Sequence, residues 1–218
     1  MRFNFFKRFI GMFISHDKPL NFVPYNKSIN NEDSMKKIKC ALVIGHKQSS
    51  QGAYNETYKI HEFEFNEELA NVIIGIEFDH VEIHKIYRRT YSSLPNDINE
   101  LNPDFVISLH CNAFNKKASG SEVLYYHKSE KSKQYANILQ KNFVRNLELS
   151  DRGIHGKTSE DRGGYLLKNT IAPCIIAEPF FIDNDEDYKI AGIDKYSELL
   201  LSYKQSIAEI ASSIEKGK

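Results

Sequence analysis

Residues 105–113 read Phe105-Val106-Ile107-Ser108-Leu109-His110-Cys111-Asn112-Ala113. The run from Phe105 to Leu109 is short, almost wholly apolar and free of polar alternation, as in a strand covered on both faces. It stops at an imidazole. Two other stretches repeat the pattern: Leu42-Val43-Ile44-Gly45 runs into His46, and Ile175-Ile176-Ala177 runs into Glu178. Each places a metal-binding or proton-handling side chain where a buried strand opens at the edge of a sheet. In open α/β sheets, ligands gather beyond the carboxyl ends of the strands.

Outward from these strands, apolar spacing alternates between the two regular periods. Cys40–Ile44 is a buried strand. Glu62–Glu77 carries Phe65, Leu69, Ile73 and Ile76 at helical spacing, and Val81–Ile86 reads as a strand. Leu94–Asn102 is a short helix with Pro95 in its first turn, where a missing N–H costs nothing. Ser121–Tyr126 is a strand, after which Ser129 caps a helix showing Tyr135, Leu139, Phe143 and Leu147. Residues 150–164 read as a loop rich in Gly and charge, followed by strands at Tyr165–Leu167 and Cys174–Ala177. A helix over Tyr196–Ile214 closes the pattern. Alternating strands and helices predict an α/β fold, a single three-layer sandwich with a central, mostly parallel sheet between helical layers.

Composition sets outer limits. The 218 residues are 41% hydrophobic and 27% charged, ordinary for one globular domain. Lys+Arg and Asp+Glu balance at 29 each, so no basic surplus calls for a nucleic-acid partner. No stretch approaches the ~20 apolar residues of a membrane span. Cys40, Cys111 and Cys174 all lie in strand-like runs without a CxxC, as small buried hydrophobes do. Residues 1–34 differ from the rest. Residues 1–15 are aromatic and basic, with Phe6, Phe9, Ile10 and Phe13 at helical spacing. Lys7 and Arg8 interrupt the apolar run and no Ala-x-Ala follows, so the marks of a secretory signal are missing. A surface helix in weak contact with a membrane is one reading of residues 1–15. The division expected is an extension and linker over 1–34 and a catalytic domain over 35–218, acting as a monomer.

The polar residues at the strand ends suit metal hydrolysis. Two imidazoles and a carboxylate match Zn²⁺, whose catalytic sites keep a fourth position open. A further carboxylate is needed to take a proton from water and return it to a departing amine. Glu62, at the start of the first strong helix, faces back toward the end of the first strand. Taken singly, each of these residues is as readily a hydrogen-bonded structural group, and spacing leaves both readings open.

The pieces also occur in a recognisable order. Gly45-His46 is followed by Glu62-x-x-x-Asn66, then Ser108-Leu109-His110-Cys111-Asn112-Ala113 and Gly120-Ser121-Glu122-Val123. Asp151-Arg152-Gly153 comes next, then Leu167-x-x-Thr170-x-x-Pro173 leading into Ile176-Ala177-Glu178-Pro179-Phe180. From about Lys39 to Ile214 this resembles the zinc N-acetylmuramoyl-L-alanine amidases of the amidase-3 family. The resemblance implies one Zn²⁺ held by His46, Glu62 and His110, with Glu178 as the catalytic carboxylate. It implies a six-stranded sheet and peptidoglycan as substrate, cut at the amide between the lactyl group of N-acetylmuramic acid and L-alanine. It further implies action on the bacterial cell wall, from the cytoplasm after release if the protein is a phage endolysin and in the cell envelope otherwise. The interval from Glu62 to His110 leaves no room for the inhibitory helix of some cell-division members.

Two departures bear on substrate fit: His46 is followed by Lys47-Gln48 rather than Gly-Gly, and Glu178 by Pro179 rather than a small apolar pair. Glu64 competes with Glu62 as ligand, and His61 and His84 are further alternatives. Asn112, Arg152 and Arg162 are candidates for holding substrate, the arginines through peptide carboxylates, and Asn66 is a candidate for orienting a ligand. The competing functions are a zinc peptidase on a similar sheet and a non-catalytic wall-binding module.

Overall fold

The computed structural model describes residues 37–217. The extension, linker and surface helix expected over residues 1–34 lie outside the described residues. Six strands form the central sheet: β1 (Ile38–Ile44), β4 (Val81–Tyr87), β5 (Phe105–Leu109), β6 (Ser121–Tyr126), β7 (Asp151–Lys157) and β8 (Cys174–Glu178). A two-residue hairpin, β2 (Tyr54–Asn55) with β3 (Ile60–His61), stands apart from it. The spatial order is β4-β1-β5-β8-β6-β7. Every neighbouring pair is parallel except β6 with β8, which run antiparallel. The mostly parallel six-stranded sheet is therefore present, and its one reversal carries β6 and β7 in the opposite sense to the other four.

Strand alternation divides the core in two. Cys40, Leu42 and Ile44 of β1 share a cluster with Leu69 and Ile73 of α1 (Glu62–Ile74), Phe143 of α3 (Glu130–Leu147), and Tyr203 and Ile207 of α6 (Tyr196–Lys216). Ala41 and Val43 point the other way. They pack with Leu94 and Ile98 of α2 (Leu94–Leu101) and Leu166 and Leu167 of α4 (Gly164–Asn169). Period-two placement of small and large apolar residues thus covers both faces of the sheet, which is why its strands read as unbroken apolar runs. Between α3 and α6, Phe143 and Tyr203 meet edge to face at 5.3 Å, both fully buried.

Two expectations fail locally. Residues 151–157 are a strand, not loop. As the sheet's outermost strand, β7 bonds to β6 alone and keeps most side chains partly or fully in water, so its Gly and charge content does not prevent pairing. Tyr165–Leu167 lie in helix α4, not a strand. Gly163 at φ +82° turns the chain into it, and the element is too short for a helical period to show. The count of six strands survives because β7 replaces the strand lost. The Ser129 cap is present: its Oγ accepts the Ser132 N–H at 3.2 Å. A short α5 (Asp185–Asp187) and a π-helical turn over Tyr188–Asp194, neither expected, join β8 to α6. Among the described residues no helix is long and apolar enough to cross a membrane.

Candidate active site

The order β1-β5-β8, all parallel, brings the ends of three strands side by side. His46, His110 and Glu178 therefore share one edge of the sheet. Beyond Ile44 the chain must turn without rising away from β5. The Gly45 N–H donates to the Leu109 carbonyl at 2.9 Å, and His46 takes a left-handed φ of +64°. That conformation costs a non-glycine residue about 1–2 kcal/mol, and a turn closed by reciprocal Lys47 and Ser50 hydrogen bonds holds it. Gly45 is required by space: a Cβ there would lie 2.4 Å from the Leu109 oxygen and 2.7 Å from the His110 ring. Gly52, at φ +79°, is required by both conformation and space, since its Cβ would fall 2.6 Å from Glu62 Oε2 and 2.7 Å from the His46 ring.

Glu62 is the first residue of α1. Its own N–H donates to the Ala53 carbonyl and that of Phe63 to the Gln51 carbonyl, both at 2.9 Å. The helix start, with its unpaired N–H groups, is thereby tied to the loop after His46. The Glu62 carboxylate is fully buried. Oε1 accepts the Cys111 N–H at 3.1 Å and lies 2.9 Å from His110 Nδ1; Oε2 accepts the Ala53 N–H at 3.2 Å. Burial favours the neutral acid, but the His110 and His46 imidazoles outweigh it and hold the carboxyl well below the usual carboxylate range.

His46 completes the group with a different geometry. Its Nε2 is 3.0 Å from Glu62 Oε2, yet it is not aligned for a hydrogen bond and has no other partner although buried. A buried nitrogen normally finds one. Donor atoms of His46, Glu62 and His110 all lie within 4.8 Å of one another. Ligands on a tetrahedral zinc ion, with bonds of ~2.0–2.1 Å, stand about 3.4 Å apart. The unsatisfied nitrogen, the spacing and the N,N,O donor set all fit a zinc ion. The competing residues lie elsewhere: Glu64 is exposed and caps α1 through the His61 N–H, and His61 stacks on Tyr54. His84 Nε2, 2.9 Å from Glu82, is buried without an aligned partner as well, but among the described residues it belongs to no group of three such ligands. Asn66 is fully buried with its Oδ1 3.9 Å from Cys111 Sγ, on the far side of the sheet from the cleft.

A cleft of about 210 Å³ opens beside this cluster on the α2–α4 side. His46, His110 and Glu178 line it, with Val43, Leu124 and Ile176 beneath them and Arg88, Tyr91 and Arg162 also on its wall. A larger depression of about 420 Å³ around Lys116 and Asp185 touches none of these groups. Burial, then the charge and hydrogen bond of neighbouring Glu122, push the Glu178 carboxyl up to about 8, against the pull of Arg162. Two carboxyls that share a site cannot both ionise freely.

Glu122 is the residue that sequence reasoning left without a role. It stands opposite Glu178 in the antiparallel β6–β8 pair. Two candidates for substrate contact converge on it: Asn112 Nδ2 donates to Oε1 at 2.9 Å, and Arg152 Nε donates to Oε2 at 2.7 Å. The third, Arg162, is exposed on the cleft wall. Burial resists the charge on Glu122, but the Arg152 hydrogen bond and the one shared with Glu178 hold its carboxyl below the ordinary range. The available signal was the register itself, since a reversed β6 brings its amino end, not its carboxyl end, to the edge where β8 finishes.

Comparison with known proteins rests on this frame. The model of the amidase-3 family, described as N-acetylmuramoyl-L-alanine amidase, matches residues 40–209. The chain belongs to that family. Similar solved structures include an N-acetylmuramoyl-L-alanine amidase from Clostridium difficile 630, with 20% identity over 82% of this chain and 98% of the other and a TM-score of 0.71. The catalytic domain of CwlV from Bacillus (Paenibacillus) polymyxa var. colistinus has 20% identity, coverage of 83% and 99%, and a TM-score of 0.68. The catalytic domain of the CD27L endolysin, which targets Clostridia difficile, has 23% identity, coverage of 79% and 97%, and a TM-score of 0.66. At these identities the likeness concerns the fold. Among curated relatives, an uncharacterized cell wall amidase of Bacillus anthracis is 32% identical over an alignment of 94 residues, covering 39% of this chain and 17% of that protein. YqiI of Bacillus subtilis is 28% identical over 97 residues, 44% of this chain and 45% of that protein. The matches thus span less than half the length of either relative.

Proposed function

We propose that this amidase-family protein is zinc-dependent and hydrolyses the amide between the lactyl group of N-acetylmuramic acid and L-alanine in peptidoglycan. The observation that carries the reading is the convergence of His46, Glu62 and His110, with the His46 nitrogen buried and unsatisfied, beside a carboxyl at the end of β8. His46, Glu62 and His110 are the proposed ligands. Held there, zinc supplies Lewis acidity to water and to a carbonyl oxygen. The remaining chemistry falls to this chain's own side chains. Glu178, as carboxylate, takes the proton of the attacking water and, as acid, gives it to the departing alanine nitrogen. Its raised affinity for a proton suits a group that must do both near neutral pH. Val43, Leu124 and Ile176 form the apolar part of the cleft lining beside that carboxyl. Arg162, exposed on the same wall, is the proposed contact for a carboxylate of the stem peptide.

The site of action is the bacterial cell wall. The test is incubation of the protein with purified peptidoglycan, with and without a chelator, and mass spectrometry of the new ends. Chelator-sensitive release of peptides with free amino-terminal alanine is expected. Cleavage inside the stem peptide would instead make the protein a peptidase, and binding without product a wall-binding module.

A further inference from the structure

The groups around Glu122 do not serve one another by chance of packing. Asn112 follows β5, Arg152 lies in β7, and Glu122 and Glu178 face each other across β6 and β8. Three other segments therefore deliver polar side chains to one carboxylate on β6. Both oxygens of Glu122 are taken, Oε1 by Asn112 and Oε2 by Arg152, with His155 Nε2 a further 3.7 Å from Oε2. The guanidinium is itself fixed, lying 5.0 Å over the Phe181 ring. The backbone entering β6 is equally constrained: Asp187, almost fully buried, accepts the Gly120 N–H and the Phe181 N–H at 3.0 Å each. Glu122 has no freedom to wander, and it stands directly opposite Glu178 across the β6–β8 pair. A surface ion pair has no need of such a cage.

We infer that Glu122 is a positioning residue for Glu178: Asn112 and Arg152 lock its carboxylate, which faces Glu178 across the β6–β8 pair and orients the Glu178 carboxyl. The inference rests on the role proposed above for Glu178. Arg152, paired with one Glu122 oxygen, favours the charge on Glu122. Beside a charged Glu122, Glu178 as carboxylate takes one proton from the attacking water, and as acid it keeps that proton until the departing nitrogen takes it. Glu178 is faced by Glu122 from β6, by Arg162 from the loop before α4, and by Glu62 from α1; Glu122 is faced by Arg152 and His155 from β7.

The experiment compares wild type, Glu122→Gln and Glu178→Gln as zinc-loaded proteins acting on purified peptidoglycan. Measurements are kcat, KM, zinc content, melting temperature and the pH profile. Glu122→Gln should keep its zinc and its KM, lose kcat on the order of 10- to 100-fold, and move the acid limb of the profile down by about one pH unit, because a negative neighbour has gone. Wild-type kcat with an unmoved acid limb overturns the inference. So does a loss of kcat that tracks a fallen melting temperature with the limb in place, since Glu122 would then be structural. If Glu122→Gln does not fold, Arg152→Gln decides: it keeps both carboxyls but frees Glu122, and should lower kcat several-fold at constant KM, whereas wild-type kcat there overturns the inference. Retained activity in Glu178→Gln would instead refute the functional reading beneath it.

Discussion

Replacing Glu178 with Gln should make the metal-free protein more stable above neutral pH, while abolishing turnover of the zinc-loaded form. The carboxyl titrates ordinarily near 4.5 and is pushed up to about 8 in the fold, by burial first and by Glu122 second. A group whose folded-state affinity for protons is raised favours folding while it is protonated. That advantage disappears as pH climbs from about 4.5 through about 8. At 1.36 kcal/mol per pH unit the interval corresponds to a ceiling of about 5 kcal/mol. The cleft beside Glu178 admits water, which screens both causes, so we expect roughly 2 kcal/mol between pH 5 and pH 8. Gln keeps the shape and a hydrogen bond to Glu122 without a charge to bury. Urea unfolding of both chelator-treated proteins at the two pH values measures the effect. Wild type and variant differ only at this position, so the difference between their pH dependences reports on Glu178. Equal pH dependence in wild type and variant would refute the argument that Glu178 is held in an environment hostile to its charge.

Two other substitutions probe the supports of the site. Gly52→Ala places a methyl 2.6 Å from Glu62 Oε2 at a left-handed φ; zinc affinity should fall on the order of 10- to 100-fold, and undiminished binding in a competition titration would contradict the tight approach described. Asp187→Ala removes the acceptor of the Gly120 and Phe181 N–H groups and of the Ser119 hydroxyl. Buried donors left unpaired should cost about 3 kcal/mol, read as a lowered urea midpoint at unchanged slope, and an unaltered midpoint would mean that the 119–120 and 181 segments hold together without it.

How far the sequence carries depends on whether a feature is local. β1, β5 and β8 were legible because a strand covered on both faces must be apolar throughout, and the residue that ends it stands out by contrast. His46, His110 and Glu178 are those residues. Their meeting at one edge follows once the three strands are parallel neighbours: the alternation of strand and helix implies the parallel sense, and the structure supplies the order β1-β5-β8. Glu62 was legible from the face of α1, whose Phe65 and Leu69 must pack on the sheet. β7 was not, because Ile154 is its one apolar residue packed on the core, and the Gly and charged residues around it look like loop. Nor was α4, whose Leu166 and Leu167 bury as well in one helical turn as they would in a strand. Glu122 was hidden for a more general reason. The rule that ligands lie beyond strand carboxyl ends assumes one strand direction, and β6 runs the other way. Its second residue thereby reaches the edge where β8 ends, and with β7 following in parallel, Arg152 arrives beside it. The reversal of one pair in the sheet is thus what separates a lone carboxylate beside His46, Glu62 and His110 from a carboxylate whose neighbour can set its orientation.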